Sequence, residues 1–520
     1  MPTIYQPPAE SPQIDALDPG LLAAVVRGES RLTPEQGLDL LVRAPLHTLG
    51  RYADARCREL HGDHIRTYVI DRNINYTNVC TARCTFCAFR RDATDHDAYT
   101  LEKEQLFEKV AALEAIGGTQ ILLQGGMNPD LPFDWYLDLL AGLKERFPEI
   151  HVHGFSPPEF VEFVNFFDPP GSTLEDKLRW VMVRLQEAGL DSLPGAGGEI
   201  FAPAVRTKIG LGKCTAEAWL TTMYVAHSLG MFTSATMMFG HIEGVADRIH
   251  HMRLVREWQD KALLDFGASN PLEIDFLSEK SPDRQGGVPG TGEPGEDRSL
   301  TAAARSEHYA DLESKYPARL RSRRHTGGHY VSFISWPFQP DNTPLGRLKE
   351  WPQPGDEGAF PGDAVGAVDG AGTKDMHPEF GRRLRLAGST AYLRTQAVSR
   401  LMLDNIYSIG SSWVTMGPHI GQLALHYGAN DMGSVMMEEN VVSAAGTTYC
   451  LDEAVLNHLI RAAGYIPAQR DNVYDILKLN SGPDSPDLRV RDWSEHRASK
   501  LAYHLDEGNR ADLTVGASDR

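Results

Sequence analysis

No apolar run in this 520-residue chain approaches the roughly 20 residues a membrane-spanning helix requires. No membrane insertion is expected. The first residues, Met1-Pro-Thr-Ile-Tyr-Gln-Pro-Pro8, lack the basic and apolar regions of a secretory signal. Basic residues are outnumbered, 51 Lys and Arg against 70 Asp and Glu, for a net charge of −19. That balance argues against nucleic acid as a partner, because gripping a phosphate backbone needs concentrated positive charge. Disulfides are not expected either. Of six cysteines, Cys57, Cys214 and Cys450 are scattered and read as small buried apolar residues. A reducing cytoplasm fits this usage. The chain is long enough for one large domain with additions or for two domains, and its 42% apolar content is ordinary for a globular protein.

The other three cysteines lie within eight residues, in Asn78-Val-Cys-Thr-Ala-Arg-Cys-Thr-Phe-Cys-Ala-Phe-Arg90. Thiolates with this C-x3-C-x2-C spacing, Cys80, Cys84 and Cys87, can wrap one corner and grip three irons of a cubane cluster. The fourth iron then has no protein ligand from the motif and is open to a small molecule. Structural zinc instead takes four ligands, usually as paired C-x2-C elements. Only Cys84 and Cys87 form such a pair, and His96, a nominal fourth ligand, sits in what reads as a solvated loop.

Along the chain, residues 1–30 are Pro-rich and polar and read as a flexible tail. Thr33-Pro-Glu-Gln36 carries a helix start, with Thr at the N-cap, Pro at the first position and Gln closing a capping box. Strands are expected at 66–70, 119–124, 150–155, 191–194, 232–239, 330–336, 411–414 and 430–434. Helices fall between most of them, one capped by Thr100 and another opened by Ser172-Thr-Leu-Glu175. This alternation means a parallel sheet with right-handed crossovers, and eight strands favour a (β/α)8 barrel over a six-strand partial barrel. Gly- and Pro-rich stretches at about 265–328 and 351–380 read as surface insertions into a barrel domain of residues 31–480. A polar extension, 481–520, follows.

In a parallel barrel, functional residues gather after the C-terminal ends of the strands. The cysteine loop follows the first strand. Later strands lead into Gln124-Gly-Gly126, Ser156-Pro-Pro-Glu159, Gly195-Ala-Gly-Gly-Glu199, Gly240-His-Ile-Glu243, Gln339-Pro-Asp-Asn342 and Met437-Glu-Glu-Asn440, all expected at one mouth. His241 and Glu243 are candidates to bind a ribose or accept a proton, or else a salt link on the rim. Arg72 is a candidate for a carboxylate of the substrate or for an internal acidic partner. Glu199 either reaches a cofactor or caps a helix, and Ser156 and Glu159 divide in the same way. Met237 and Met238 read as packing.

An open-iron cluster at a barrel mouth resembles the radical S-adenosylmethionine (SAM) enzymes, and Phe86 supplies the aromatic residue the family usually has before its third cysteine. The resemblance implies a [4Fe-4S] cluster whose open iron is chelated by S-adenosyl-L-methionine. Reductive cleavage then yields methionine and a 5′-deoxyadenosyl radical. It places Gln124, Gly125 and Gly126 near the methionine amino group, where glycines permit close approach, unless they form a plain turn. Asp71-Arg-Asn-Ile-Asn-Tyr-Thr-Asn-Val-Cys80 resembles the menaquinone (futalosine) and deazaflavin biosynthetic group. Gly118-Thr-Gln-Ile-Leu-Leu-Gln-Gly-Gly126, His153-Gly-Phe-Ser-Pro-Pro-Glu159, Ala235-Thr-Met-Met-Phe-Gly-His241, Trp336-Pro-Phe-Gln-Pro340 and Ser412-Trp-Val-Thr-Met-Gly-Pro418 are similar above all to its ring-closing branch. The resemblance implies a small nucleoside substrate, hydrogen abstraction at ribose C4′, attack on a benzoate ring, and an external electron donor of flavodoxin or ferredoxin type. Alternatives are the aminofutalosine synthase and deazaflavin (FO) synthase branches, or a non-catalytic iron–sulfur carrier, which would need neither open iron nor barrel mouth.

Overall fold

Short strands with both faces buried, each followed by a helix with one apolar stripe, fold here into a barrel wall wrapped by helices. The computed structural model describes residues 5–62, 64–266, 327–351, 381–435, 437–438, 440–447 and 449–493. Nearly all of both expected insertions, and the extension beyond residue 493, lie outside them. The strands are β1 (Ile65–Val69), β2 (Asp71–Asn75), β3 (Gln120–Gln124), β4 (His151–Gly154), β5 (Ser192–Leu193), β6 (Phe232–Phe239) and β7 (Tyr330–Pro337). Two short ones, β8 (Lys349–Glu350) and β9 (Arg383–Leu384), pair with each other. Then come β10 (Ser408–Gly410), β11 (Asp431–Ser434), β12 (Ile466–Arg470) and β13 (Ile476–Leu479).

The main ladder runs β13-β12-β1-β11-β10-β7-β6-β5-β4-β3-β2. Its two flanks meet on one piece of chain, because only Ile70 separates β1 from β2. The carbonyl of Val69 accepts from Val435 N–H on the β11 side, and that of Ile70 accepts from Thr119 N–H on the β3 side. Counting β1 and β2 as one extended segment, the parallel wall has eight positions, as a (β/α)8 barrel requires. β12 joins β1 in parallel and β13 joins β12 antiparallel, so this pair lies outside the eight.

Local signals held where chemistry left one solution. Thr33 and Gln36 form both bonds of the capping box on helix Pro34–Arg43. Two caps moved. The hydroxyl of Thr100 is engaged by Thr77 and Asn128, so the helix starts at Lys103 after Glu102. Thr173 rather than Ser172 caps Leu174–Ala188, with Asp176 accepting from both. The strand expected at 411–414 is displaced: β10 ends at Gly410, and Trp413–Met416 is helical.

The tail reading of residues 1–30 is corrected for residues 5–30, the first four lying outside the described residues. Pro19–Arg27 is a helix whose N-cap Asp18 accepts from Leu21 N–H at 2.8 Å. It buries Leu21, Leu22 and Val25, each worth about 1.5–3 kcal/mol when removed from water. Arg31 then locks the segment down through Asp260 and Asp404, both at 2.7 Å.

Candidate active site

The cysteine loop, residues 76–101, leaves β2 and is held by its own backbone and polar side chains. Asn78 N–H donates to Tyr99 O, Arg91 N–H to Asn78 O, and Cys80 N–H to Arg91 O, at 2.8–3.3 Å. Asn78 Nδ2 donates to Asp97 O and its Oδ1 accepts from Tyr99 N–H. The far side of the loop is pinned to other strands' loops, with Thr81 N–H on Met127 O, Arg83 N–H on Leu211 O and Thr85 N–H on Ile209 O. Cys80, Cys84 and Cys87 all line one cavity of about 490 Å³. Among the described residues no three His, Cys, Asp or Glu side chains gather closely enough to hold a single ion. Burial pushes the Cys80 and Cys84 thiols up, that of Cys84 to about 12, while the Lys213 ammonium pulls both the other way.

Gln124, Gly125 and Gly126 face the same cavity from the end of β3. A Cβ on Gly126 would run into the carbonyl oxygen of Val79, and one on Gly125 into the Tyr76 ring. The turn is therefore pressed against the cysteine loop as only glycine allows. Glu159 fixes it from behind. This buried carboxylate accepts from Gly125 N–H (3.1 Å), Tyr76 O–H (2.7 Å), Ser156 N–H (2.7 Å) and Ser156 Oγ (2.6 Å). Burial raises its pKa, and the four donors oppose that rise.

Glu199 sits in the left-handed region (φ 47°) at the end of the turn from Gly195. It lines the cavity and holds Lys213 Nζ at 2.8 Å. Burial disfavours the Lys213 charge, but Glu199 and Cys84 outweigh it and keep the ammonium charged. Its Nζ lies 4.9 Å from the Phe86 ring centroid, and Phe86 also lines the cavity. Trp336 at the end of β7, Phe338 and Gln339 after it, and Ser411 to Thr415 after β10 complete the upper wall.

Three candidates do not face the cavity. Arg72 is 2% exposed and points outward between strands, its Nε on Glu438 at 2.8 Å; Lys109 joins the same carboxylate at 2.9 Å. Glu243 is fully buried with Arg248 at 2.9 Å, and accepts from the N–H groups of Gly240 and His241. Burial works against its charge, but Arg248 and those amides help outweigh it and hold the pKa low. His241 Nδ1 accepts from Ile242 N–H and its Nε2 reaches Met238 O, which makes it a neutral donor within a turn. These two residues hold the turn after β6 rather than meet a ligand. Met238 lines the cavity, Met237 packs in the core, and Glu439 lies outside the described residues.

Sequence reasoning missed Lys213, Tyr76 and the polar floor of the cavity, where Asp71, Gln120, His153, Asp431, Arg470, Asn472 and Tyr474 converge. The Ser156-x-x-Glu159 capping-box spacing was the one signal for the buried carboxylate; no spacing pointed to Lys213.

Residues 74–255 match the radical SAM superfamily and residues 381–482 the CofH/MqnC C-terminal region. A cyclic dehypoxanthine futalosine synthase of Halalkalibacterium halodurans is 35% identical over 88% of this chain and 95% of its own length. A protein of the same name from Streptomyces coelicolor is 33% identical over 88% and 90%. A 5-amino-6-(D-ribitylamino)uracil–L-tyrosine 4-hydroxyphenyl transferase of Methanopyrus kandleri is 32% identical over 80% and 86%. Among the described residues no helix is long and apolar enough to cross a membrane. The chain is therefore a radical SAM enzyme of the group that carries the CofH/MqnC C-terminal region, a family that applies SAM and an iron–sulfur cluster to small molecules.

Proposed function

We propose that this protein is a radical cyclase that converts dehypoxanthine futalosine to cyclic dehypoxanthine futalosine on a route to menaquinone. The observation that carries the reading is the opening of three thiols, a tight glycine turn and the Trp336 loop onto one cavity. Its size falls within the range of small-molecule sites, roughly 300–1,000 Å³.

The residues present fit a [4Fe-4S] cluster. Three cysteines on one clamped loop supply thiolate ligands, and the glycine turn beside them leaves room where any side chain would collide with the loop. Bound there with SAM, the cluster would supply a 5′-deoxyadenosyl radical. A one-electron donor of flavodoxin or ferredoxin type completes the system.

The protein's own part is to bind, orient and exclude water. Gln124, Gly125 and Gly126 offer backbone groups to the methionine end of the cofactor, and Glu159 keeps that turn from shifting. Ser156 and Glu159 act through this support rather than by contact. Glu199 accepts from a ribose hydroxyl, and Phe86 packs beside it. Trp336, Phe338, Met238 and Ile334 form an apolar wall suited to an uncharged radical and a benzoate ring. Holding ribose C4′ near the ring favours attack within one molecule, where orientation lowers the barrier most.

Anaerobically reconstituted protein with SAM and a reductant is expected to turn dehypoxanthine futalosine into a product two hydrogens lighter by mass spectrometry. No such product, with joining of a pyruvate-type enol ether to a purine nucleoside instead, would move the assignment to the aminofutalosine branch.

A further inference from the structure

The ring closure releases a proton, and a group on the cavity wall has to take it. Overall, cationic SAM and the substrate give methionine, 5′-deoxyadenosine, the cyclic product and one proton. The C4′–H and one ring C–H bond break and one C–C bond forms. The electron supplied at the start leaves the ring system with the ring proton and returns to the one-electron carrier.

Most acidic groups on the wall already hold partners. Glu159 accepts four hydrogen bonds and Glu199 holds Lys213. Asp431 takes both forks of Arg470, at 2.7 and 2.9 Å, and Thr67 besides. Asp71 accepts from Ser434 and Gln120. His153 differs. Its Nδ1 meets Ser192 Oγ at 2.6 Å, and its Nε2 has no partner among the described residues.

Strand register fixes where His153 stands. It pairs with Leu122 on β3, two residues before Gln124, which is about 7 Å at 3.3 Å per residue. It therefore lies one row below the glycine turn, in the floor that Arg470 and Asn472 share.

Behind it runs a polar chain. Ser192 Oγ also meets His151 Nε2 at 2.7 Å, and Asn472 Nδ2 donates to both Ser192 Oγ and His151 Nε2 at 2.9 Å. With His153 protonated on Nδ1 and donating to Ser192, which donates in turn to His151, Nε2 of His153 presents a lone pair, while the single lone pair of His151 Nε2 is shared by the Ser192 and Asn472 donors.

We propose that His153 Nε2 accepts the ring proton during rearomatisation and that Ser192 and His151 relay it toward the base of the barrel. This rests on the cyclase reading above. Burial, with His151 and Arg470 adding to it, keeps the His153 imidazole neutral beforehand. A weak base suffices, because losing this proton restores the aromatic ring.

The test is product yield per 5′-deoxyadenosine formed, in the reconstituted holoenzyme. In His153→Gln, 5′-deoxyadenosine formation is expected to stay within about threefold of wild type while cyclic product per 5′-deoxyadenosine falls at least tenfold. Ser192→Ala should lower the same ratio several-fold and serves if His153→Gln does not fold. An unchanged ratio in either variant, or a proportionate fall of both products in His153→Gln, would overturn the role and leave His153 structural. Wild-type enzyme that makes no cyclic product would instead overturn the functional reading itself.

Discussion

At the mouth of the barrel, the cysteine loop and the glycine turn come from two short runs of chain and are tied mainly by backbone hydrogen bonds. At the floor, His151, His153, Ser192, Asp431, Arg470 and Asn472 come from strands and loops as far as 321 positions apart and are tied by side chains. The mouth leaves its thiols facing open space, so it can receive a ligand. The floor cancels its main charges pairwise and leaves His153 Nε2 and Gln120 Oε1 as acceptors without a partner among the described residues. A radical site needs both: a place where a charged cofactor can dock, and a sealed end that neither leaks water nor offers stray charge.

The largest effect of breaking this contrast should come at the floor. The Asp431 and Arg470 side chains are 1% and 7% exposed. Asp431→Asn leaves the guanidinium without a carboxylate, and removing one partner of a buried pair costs about 3–5 kcal/mol. Denaturant unfolding of the variant should show that loss; a change under about 1 kcal/mol would mean the floor is not sealed by this pair.

The mouth should respond more gently and in a different observable. Glu159→Gln keeps the volume but accepts fewer of the four hydrogen bonds, at a cost near 1.5 kcal/mol for one bond to a charged group. SAM affinity is expected to fall about tenfold, the same energy expressed as binding. Isothermal titration of the holoenzyme checks this, and unaltered affinity would separate Glu159 from the cofactor turn.

The same contrast explains what could be read from the chain. The cysteine spacing, the Gln124-Gly-Gly126 turn and seven of the eight expected wall strands stood out because each is local, a matter of neighbouring residues and short periods. β12 and β13 went unseen: Ile466-Pro-Ala-Gln-Arg470 is buried on both faces despite its polar end, and shows no alternation to mark it. Sequence position put His241 and Glu243 after the right strand end, but not which way they face, and Arg72 stands near the start of β2 rather than at its mouth end. Glu243 turns back to cap its own turn and Arg72 reaches outward to Glu438. Lys213 and Asn472 carry no motif, and their roles appear only once distant strands are side by side.

The central claim, that Cys80, Cys84 and Cys87 support radical chemistry on SAM, has one direct measurement: 5′-deoxyadenosine formed by reconstituted, reduced protein. Wild type and Cys450→Ala should form it, whereas Cys80→Ala, Cys84→Ala and Cys87→Ala should each reduce it to background. Undiminished formation in those three variants would contradict the account.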